Sequence, residues 1–342
     1  MVSPHTNLIA VTPYSNHDAS SRTRVHEWLV RTEILSTRFV TGSPTNPIPL
    51  LRAVRAARRN AGPVLVARHA HPLGQGLPEA ALLRAGRPGI YDVDDGLPFD
   101  NGRLPEHGRW WKPLVAKSRI ARSAASSADR VIAGNERLAE WANTLCDDVV
   151  IIPTCVEPGN YMTKVDYRFE TPVVGWIGSP ATEPHLFEIA DALAEATRRI
   201  PFRLEIVSSG TRPLPNSLTG FARRIQWTID VQHSILAQWD IGLMPLPNLP
   251  YEQSKCAYKL LQYGAAALPV LGSPVGASEK FLTKVDAPMP STSSDWSKAI
   301  VDLLSDVAAR QDLGARARRV VESEYSFDVW DSTWRKAVGF GT

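Results

Sequence analysis

The chain has 342 residues, of which 44% are hydrophobic, and its formal net charge is only +3. This length suffices for two α/β domains of roughly 150 residues each, and the hydrophobic content excludes a disordered chain. No apolar run reaches the roughly 20 residues that cross a bilayer, and no basic region precedes the first apolar stretch at residues 8–11. The three cysteines, Cys146, Cys155 and Cys256, lack the spacing of metal ligands and leave an odd one in any pairing. We therefore expect a reduced, cytoplasmic protein.

The charge is spread unevenly along the chain. Residues 1–165 contain 20 Lys and Arg against 15 Asp and Glu, a net of +5, whereas the remainder contains 18 against 20, a net of −2. This imbalance leaves open peripheral contact of the front half with an anionic acceptor or a membrane surface, and it is also compatible with ordinary surface variation. The arginine-rich stretch 52–59 is predicted to be the solvated face of a helix. It lacks interleaved aromatic residues, so we expect no nucleic-acid partner.

Short apolar runs rich in β-branched residues alternate with helical stretches throughout the front half. This alternation is typical of a parallel sheet covered by helices on both faces. Helices are predicted at 24–35 and 136–145. The predicted strands are 8–11, 38–41, 64–67, 89–92, 130–133 and 149–152.

The pattern breaks into a polar stretch near residues 160–171 and then restarts, which predicts a second doubly wound domain. We expect domains at 1–165 and 166–325, and a C-terminal helix in 326–342 that crosses back to the first domain. Helices are predicted at 184–198 and 259–267. The predicted strands are 173–177, 203–207, 225–228, 241–245 and 269–272.

The most informative segment is 240–276, DIGLMPLPNLPYEQSKCAYKLLQYGAAALPVLGSPVG. It begins as a strand, continues through a proline-rich loop, and enters a helix near Tyr258. Two of the nine lysines in the chain, Lys255 and Lys259, lie at this helix start, where free N–H groups and the helix dipole favour a phosphate. Gln262 lies one turn beyond Lys259 on the same face, within reach of sugar or ribose hydroxyls. A surface role for both lysines is the alternative.

This segment resembles the donor-binding region of family 4 retaining glycosyltransferases, which have the GT-B fold. It is similar to the branch that reads K-x-x-E-Y-x-A-x-G-x-P-V. The resemblance implies that Lys259 faces a nucleotide diphosphate and that position 262 bonds ribose hydroxyls. Two positions depart from the pattern, because Gln262 replaces the glutamate and Ala267 replaces the glycine, and Ser254 stands where a first glutamate is expected. The matching residues are Lys259, Tyr263, Ala265, Pro269 and Val270.

The resemblance extends over nearly the whole chain. The stretch VVGWIGSP at 173–180 resembles the first strand and turn of the family's second domain, and small residues at Gly178 and Ser179 let a phosphate approach the backbone. The segment containing Arg22 and Arg24 is similar to the S-R-x-R of this branch. These arginines are candidates for a phosphate or an anionic acceptor, or they are exposed at a capped helix start. Asn135 is predicted to cap the helix at 136–145 and to look into the cleft.

Asp92, Asp94 and Asp95 close a predicted strand and resemble the D-x-D-D of the first domain in this branch. Carboxylates here could orient acceptor hydroxyls or act as a base. The same spacing occurs in the D-x-D metal motif of another glycosyltransferase fold, but the second α/β domain and the lysines argue against a bound cation. A carboxylate cluster that caps a loop is the alternative. His69 and His71 are further candidates, although isolated histidines are more often structural.

Taken together, the resemblance implies a GT-B protein with two facing Rossmann-like domains, the first binding the acceptor and the second the nucleotide sugar. It implies a glycosyltransferase of the hexosyltransferase type, acting with retention. No metal is expected, and no cofactor beyond the nucleotide diphosphate sugar as co-substrate. The acceptor is a glycan, a lipid-linked precursor or a small natural product. The candidate residues are Asp94, Asp95 and Lys259 for catalysis, Gly178, Ser179, Lys255, Tyr258, Lys259 and Gln262 for the donor, and Arg22, Arg24 and Asn135 for acceptor or phosphate.

Two other functions remain compatible with the sequence. One is a nucleotide-sugar epimerase on the same fold, which would need an acid–base array and no acceptor. The other is a non-catalytic nucleotide-sugar binding protein, which the missing glutamate pair would permit.

Overall fold

The structure is a computed structural model, and it describes residues 7–60, 62–99 and 117–341. The chain divides into two compact units. Unit 1 comprises Met1–Cys155, Leu249–Cys256 and Phe327–Thr342, and unit 2 comprises Val156–Asn248 and Ala257–Ser326. The segment Leu249–Cys256, which the sequence analysis placed in the second domain, therefore packs with the first.

Unit 1 is built on a six-stranded parallel sheet in the order β2-β1-β3-β4-β5-β6. The chain order reverses between β1 and β3, so loops that leave these two strands diverge and open a crevice at the carboxyl ends of the strands. The strands are β1 (Leu8–Thr12), β2 (Ser36–Val40), β3 (Val64–Ala67), β4 (Gly89–Val93), β5 (Arg130–Ala133) and β6 (Val149–Ile151).

The helices of unit 1 follow the strands in alternation. The first begins at Ala19, capped by the Asp18 side chain, and passes through a π-helical turn at Arg22–His26 before it ends at Thr32. It thus starts earlier than the predicted helix at 24–35. The helices are α1 (Ala19–Ser21), α2 (Glu27–Thr32), α3 (Ile48–Asn60), α4 (Leu77–Ala85), α5 (Lys117–Ala125), α6 (Glu136–Ala142) and the C-terminal α14 (Phe327–Ala337).

The two faces of the unit 1 sheet have separate cores, because successive side chains of a strand point to opposite faces. Ile9 and Val11 of β1 pack with α3, α4, α5 and α6, whereas Leu8 and Ala10 pack with α2 and α14. On the second face the Trp28 ring stacks on Trp334 of α14, with 5.1 Å between ring centroids. Aromatic contacts of this kind add about 0.5–1.5 kcal/mol to the burial of apolar area.

Unit 2 contains a five-stranded parallel sheet in the order β11-β10-β7-β8-β9. Its chain order reverses between β7 and β10, which is the expected place for a ligand crevice in this unit. The strands are β7 (Val173–Ile177), β8 (Arg203–Val207), β9 (Ala222–Ile225), β10 (Ile241–Met244) and β11 (Val270–Gly272).

One predicted strand of unit 2 lies earlier in the chain than the sequence indicated. The run at 225–228 was expected to pair, but β9 occupies Ala222–Ile225, in register with Leu204–Val207 of β8. The reason is local, because the Thr228 side chain accepts a hydrogen bond from the N–H of Val231 and thereby caps the next helix.

The helices of unit 2 fill both faces of its sheet. Those that follow β7 and β10 begin near the edge where the chain order reverses. Among the described residues, no helix combines the length and the apolarity that a membrane span requires. The helices are α7 (Glu183–Phe187), α8 (Ala190–Arg199), α9 (Ile229–Ile235), α10 (Tyr258–Ala265), α11 (Ala277–Lys284), α12 (Ser293–Ser305) and α13 (Val307–Val320).

Candidate functional site

A buried ion pair lies at the end of β4. The Arg24 guanidinium donates to both carboxylate oxygens of Asp92, at 3.0 Å from Nε and 2.7 Å from Nη2, and its Nη1 donates to the Ile152 carbonyl at 2.7 Å. Both side chains are almost fully buried, and a bidentate pair satisfies the charge of each. The guanidinium of Arg24 is therefore paired with the Asp92 carboxylate. Arg22 is also buried, with its Nε 3.3 Å from Glu27.

Asp94, two residues further on, is held differently. The Ser20 hydroxyl donates to its Oδ2 at 2.6 Å, whereas its buried Oδ1 has no hydrogen-bond partner in the part of the chain that the structure describes. Burial raises the pKa of Asp94, against the attraction of Arg68 and Arg24. A half-buried carboxylate with one unsatisfied oxygen can accept a proton or a hydroxyl hydrogen bond from a ligand.

Asp95 is the centre of a charged cluster. Its Oδ2 accepts hydrogen bonds from Arg68 Nη2 at 3.0 Å and from the Tyr251 hydroxyl at 2.8 Å, and Lys255 Nζ lies 3.4 Å from its Oδ1. Although burial alone would raise it, the pKa of Asp95 is held well below its usual range by Lys255 and Arg68. Asp95 therefore stays ionised at neutral pH and fixes three side chains around it.

Leu249–Cys256 is anchored to the rest of unit 1 by Asn135 as well. The side-chain oxygen of Asn135 caps α6 by accepting from Leu138 N–H at 3.0 Å, as predicted for this position. Its Nδ2 donates to the Ser254 carbonyl at 2.8 Å. The single side chain thus fixes both the start of α6 and the loop that carries Tyr251 and Lys255.

The two histidines of the loop after β3 make local contacts. The His69 ring contacts the Tyr14 ring edge-on, with 5.9 Å between centroids, and burial together with Arg68 lowers the pKa of His69 to about 3. His71 Nδ1 accepts from the N–H of Leu73 at 3.3 Å. At neutral pH, His69 is a neutral imidazole.

In unit 2, Lys259 lies beside the turn that leaves β7. Its Nζ is 5.3 Å from the centroid of the Trp176 ring, and a Cβ atom on Gly178 would lie 2.5 Å from that ring and 2.8 Å from Lys259 Cε. Only glycine fits between the two side chains. Ser179 follows at an exposed position, where its carbonyl accepts from the Thr182 hydroxyl at 3.0 Å. A cation, small residues and the carboxyl end of β7 thus meet at the point where the strand order reverses.

Helix α10 is attached to this edge of the sheet by hydrogen bonds of Tyr263. The Tyr263 hydroxyl donates to the Leu243 carbonyl at 3.0 Å and accepts from the Ile177 N–H at 3.2 Å, so it bridges β10 and β7. The helix starts at Tyr258, which is half-buried, after Ala257 in a left-handed conformation that provides no side-chain cap. Gln262 is 2% exposed, and its Nε2 lies 3.4 Å from the Tyr161 hydroxyl.

The structure thus separates the predicted residues into two groups. Asp94, Asp95, Asn135, Arg22, Arg24 and Lys255 lie in unit 1, where Lys255 Nζ is 3.4 Å from Asp95 Oδ1. Gly178, Ser179, Tyr258, Lys259 and Gln262 lie in unit 2.

Three residues of these clusters were missed in the sequence. Arg68 directly follows β3 at the carboxyl edge of the sheet, and that position was a usable signal. Tyr251 and Trp176 are aromatic residues next to the predicted cations, yet nothing in their spacing indicates contact. Within the described ranges, no group of three or more His, Cys, Asp or Glu side chains could hold a metal ion.

Comparison with known proteins found no matching family model and no matching curated protein. Solved structures are similar over almost the whole chain. A sucrose-phosphate synthase from Thermosynechococcus elongatus matches with a TM-score of 0.72 and 14% identity, over 96% of this chain and 98% of that one. HepE from Anabaena, solved in complex with UDP and glucose, matches with a TM-score of 0.69 and 13% identity, over 97% and 99%. A glycosyltransferase from Rickettsia africae matches with a TM-score of 0.63 and 11% identity, over 98% and 100%. Together with the two parallel sheets, these similarities confirm the predicted fold: the chain has two Rossmann-like units in the GT-B arrangement of elements.

Proposed function

We propose that this protein is a retaining, family 4 glycosyltransferase of the hexosyltransferase type, which moves a sugar from a nucleotide diphosphate to an acceptor. The observation that carries the proposal is the position of Lys259, beside Gly178 and Trp176 at the carboxyl end of β7. Ligands of open α/β sheets bind at such a reversal of strand order. HepE, a protein with the same fold, binds UDP and glucose, and we infer a nucleotide diphosphate sugar of this kind as the donor for this chain.

Lys259 binds the diphosphate in this proposal and stabilises the charge that develops on it as the glycosidic bond breaks. The backbone of the turn at Gly178 and Ser179, together with the start of α10 at Tyr258, supplies further hydrogen-bond donors and a favourable helix dipole. Stabilisation of a leaving group by fixed cations and dipoles is often the largest single contribution to catalysis. Lys255, whose ammonium lies against Asp95, is assigned to unit 1 and not to the diphosphate.

Gln262 orients the ribose in this proposal. Its Nε2 is directed to the Tyr161 hydroxyl, at 3.4 Å, which leaves its side-chain oxygen as the acceptor for a ribose hydroxyl. Replacement of the family's glutamate by glutamine keeps one acceptor and removes a negative charge near the diphosphate.

Unit 1 binds the acceptor in this proposal. Asp94 accepts a hydrogen bond from the acceptor hydroxyl that is to be glycosylated. Ser20 fixes one carboxylate oxygen at 2.6 Å, and the other has no partner among the described residues. Asp95 acts as a positioning residue, since Arg68, Tyr251 and Lys255 satisfy its carboxylate. The acceptor group is a hydroxyl, carried by a glycan, a lipid-linked precursor or a small natural product.

The first experiment measures binding of UDP, GDP, dTDP and their sugars to the full chain by calorimetry. Donors that bind are then incubated with and without a panel of acceptors, and products are separated by mass spectrometry. We expect transfer with release of the nucleoside diphosphate only when an acceptor is present. Epimerised donor in the absence of acceptor, or tight binding with no turnover under any acceptor, would reject the proposal.

Metal independence is part of the proposal, because a lysine and a helix start supply the positive charge at the diphosphate. Transfer should persist in EDTA at the rate measured without it. If EDTA abolishes transfer and Mg²⁺ or Mn²⁺ restores it, a cation serves the diphosphate and the role given to Lys259 is wrong.

A further inference from the structure

Three of the four helices on one face of the unit 1 sheet, α3, α4 and α5, are together rich in arginine; the fourth, α6, carries Glu136 and Glu140. Helix α3, with the sequence IPLLRAVRAARRN, contains four arginines and no carboxylate. All four, Arg52, Arg55, Arg58 and Arg59, are exposed, and none forms a hydrogen bond or ion pair within the described residues. A solvated helix face normally intersperses both signs of charge, so four unpaired like charges on one helix are unusual.

The same property continues across the two neighbouring helices. Helix α4 packs between α3 and α5, and the exposed Arg84, Arg119 and Arg122 add to the positive charge. These three helices carry one carboxylate, Glu79, which is fully buried and accepts hydrogen bonds from the backbone of the loop at Ala70. We call the exposed surface of α3, α4 and α5 the basic face.

The opposite face of the same sheet provides an internal comparison. There, two arginines are paired, Arg31 of α2 with Asp328 of α14 and Arg335 with Asp331 within α14, whereas the exposed Lys336 is not paired within the described part of the chain. Both faces belong to one folded unit, so the difference does not follow from the overall composition. It is confined to the surface formed by α3, α4 and α5.

Exposed aliphatic side chains accompany the arginines. Ile48 is 54% and Leu51 64% exposed on α3, and Leu77 is 77% exposed at the start of α4. None of the large hydrophobic side chains exposed on these helices is aromatic. Arginine mixed with aliphatic side chains suits an anionic bilayer, where the guanidinium contacts phosphate and the aliphatic group enters the acyl boundary. Single-stranded nucleic acid, in contrast, is bound by aromatic rings that stack on the bases.

We infer that the basic face is a docking surface for an anionic phospholipid bilayer. Each arginine near such a surface strengthens binding by about fivefold, so the four on α3 alone can hold the protein there. The attraction between the arginines and the anionic headgroups is electrostatic, so binding weakens as salt screens the charges. The inference does not use the transferase activity, and its test needs neither donor nor acceptor.

The test is co-sedimentation of the full chain with vesicles of phosphatidylcholine alone or mixed equally with phosphatidylglycerol, at low and high salt. We expect retention by the mixed vesicles only, and less retention at high salt. The variant Arg55→Ala/Arg59→Ala should lower the partition coefficient about 25-fold, and Arg84→Ala/Arg122→Ala by a similar factor. The matched control is Arg199→Ala/Arg319→Ala, which removes two exposed arginines from unit 2 and should bind as the wild type does. Melting temperatures of all variants identify any that fail to fold.

The variant Leu51→Ser separates a bilayer from a nucleic acid. It should weaken binding to the mixed vesicles several-fold, because an aliphatic group no longer enters the acyl boundary, and leave any binding to DNA or RNA unchanged. The inference is overturned if the mixed vesicles do not retain the chain, or if both double variants bind like the control. It is also overturned if nucleic acid binds more tightly than vesicles and Leu51→Ser affects neither.

Discussion

Lys259 lies so close to Gly178 that a Cβ atom on the glycine would be 2.8 Å from the lysine Cε. The lysine is therefore held over the turn after β7, with its Nζ 5.3 Å from the centroid of the Trp176 ring. This packing places a cation at the reversal of strand order in unit 2, and it suggests two substitutions that test the donor site from opposite directions.

Lys259→Ala removes the cation directly. We expect donor affinity and transfer each to fall at least tenfold, since a charge-assisted hydrogen bond is worth about 1.5–3 kcal/mol. The melting temperature should change by only a few degrees, because the side chain is not part of the core. Calorimetry with the preferred nucleotide sugar measures the affinity. Lys298→Ala is the control, since that lysine is exposed on α12 and pairs with Asp302. Unchanged donor affinity in Lys259→Ala would remove this lysine from the site.

Gly178→Ala leaves the cation in the chain but displaces it. The added Cβ would be 2.5 Å from the buried Trp176 ring, so that ring or Lys259 must move. We expect a loss of about 1–3 kcal/mol in the free energy of unfolding, as for other overpacked sites, and at least a tenfold loss of donor affinity. The control is Gly159→Ala, where the new Cβ would meet only Glu157 at an ordinary 3.5 Å. Wild-type affinity in Gly178→Ala would mean that the position of Lys259 does not matter to the donor.

Most strands of both sheets could be predicted from the sequence because they are short runs rich in apolar residues and flanked by turn residues. The run at 225–228 failed because Thr228 serves as a helix cap, and β-branched residues do not distinguish a strand from a cap. The motif around Lys259, Gln262 and Tyr263 was visible as a pattern in one stretch of chain. The contact of Lys255 with Asp95 was not, because Asp95 lies 160 residues earlier in the chain. Contacts at such separation are set by the fold and leave no local periodicity.

Asp95→Asn tests the charged cluster through the pH dependence of stability. At pH 7 the free energy of unfolding should fall by about 1–3 kcal/mol, because the neutral amide no longer attracts Arg68 and Lys255. The folded-state pKa of Asp95 lies below the value of about 3.9 in an unfolded chain. Its stabilising contribution is therefore fully present above that value and is lost as the pH falls through the folded pKa.

The measurement is urea unfolding of wild type and Asp95→Asn from pH 7 downward, followed by tryptophan fluorescence. The difference in stability between the two proteins should shrink as the pH drops below about 4. Asp302→Asn, which removes an exposed partner of Lys298, should stay close to wild type throughout. A difference that widens toward acid pH would contradict the depressed pKa.

Asp94→Asn is expected to have opposite effects on stability and activity. Burial raises the folded-state pKa of Asp94, so the folded protein binds this proton more tightly than the unfolded chain does, and ionisation at neutral pH costs stability. The neutral amide should therefore raise the free energy of unfolding at pH 7, with the hydrogen bond from Ser20 retained. Because wild-type Asp94 is protonated in both states at low pH, the gain should vanish as the pH falls below about 4. If Asp94 receives the acceptor hydroxyl, the same variant should lower transfer about a hundredfold or more while donor affinity stays at the wild-type value. The measurements are unfolding curves at pH 7 and below pH 4, and kcat for transfer. A variant that is less stable than wild type at pH 7, or one that transfers sugar at the wild-type rate, would show that Asp94 is an ordinary structural carboxylate.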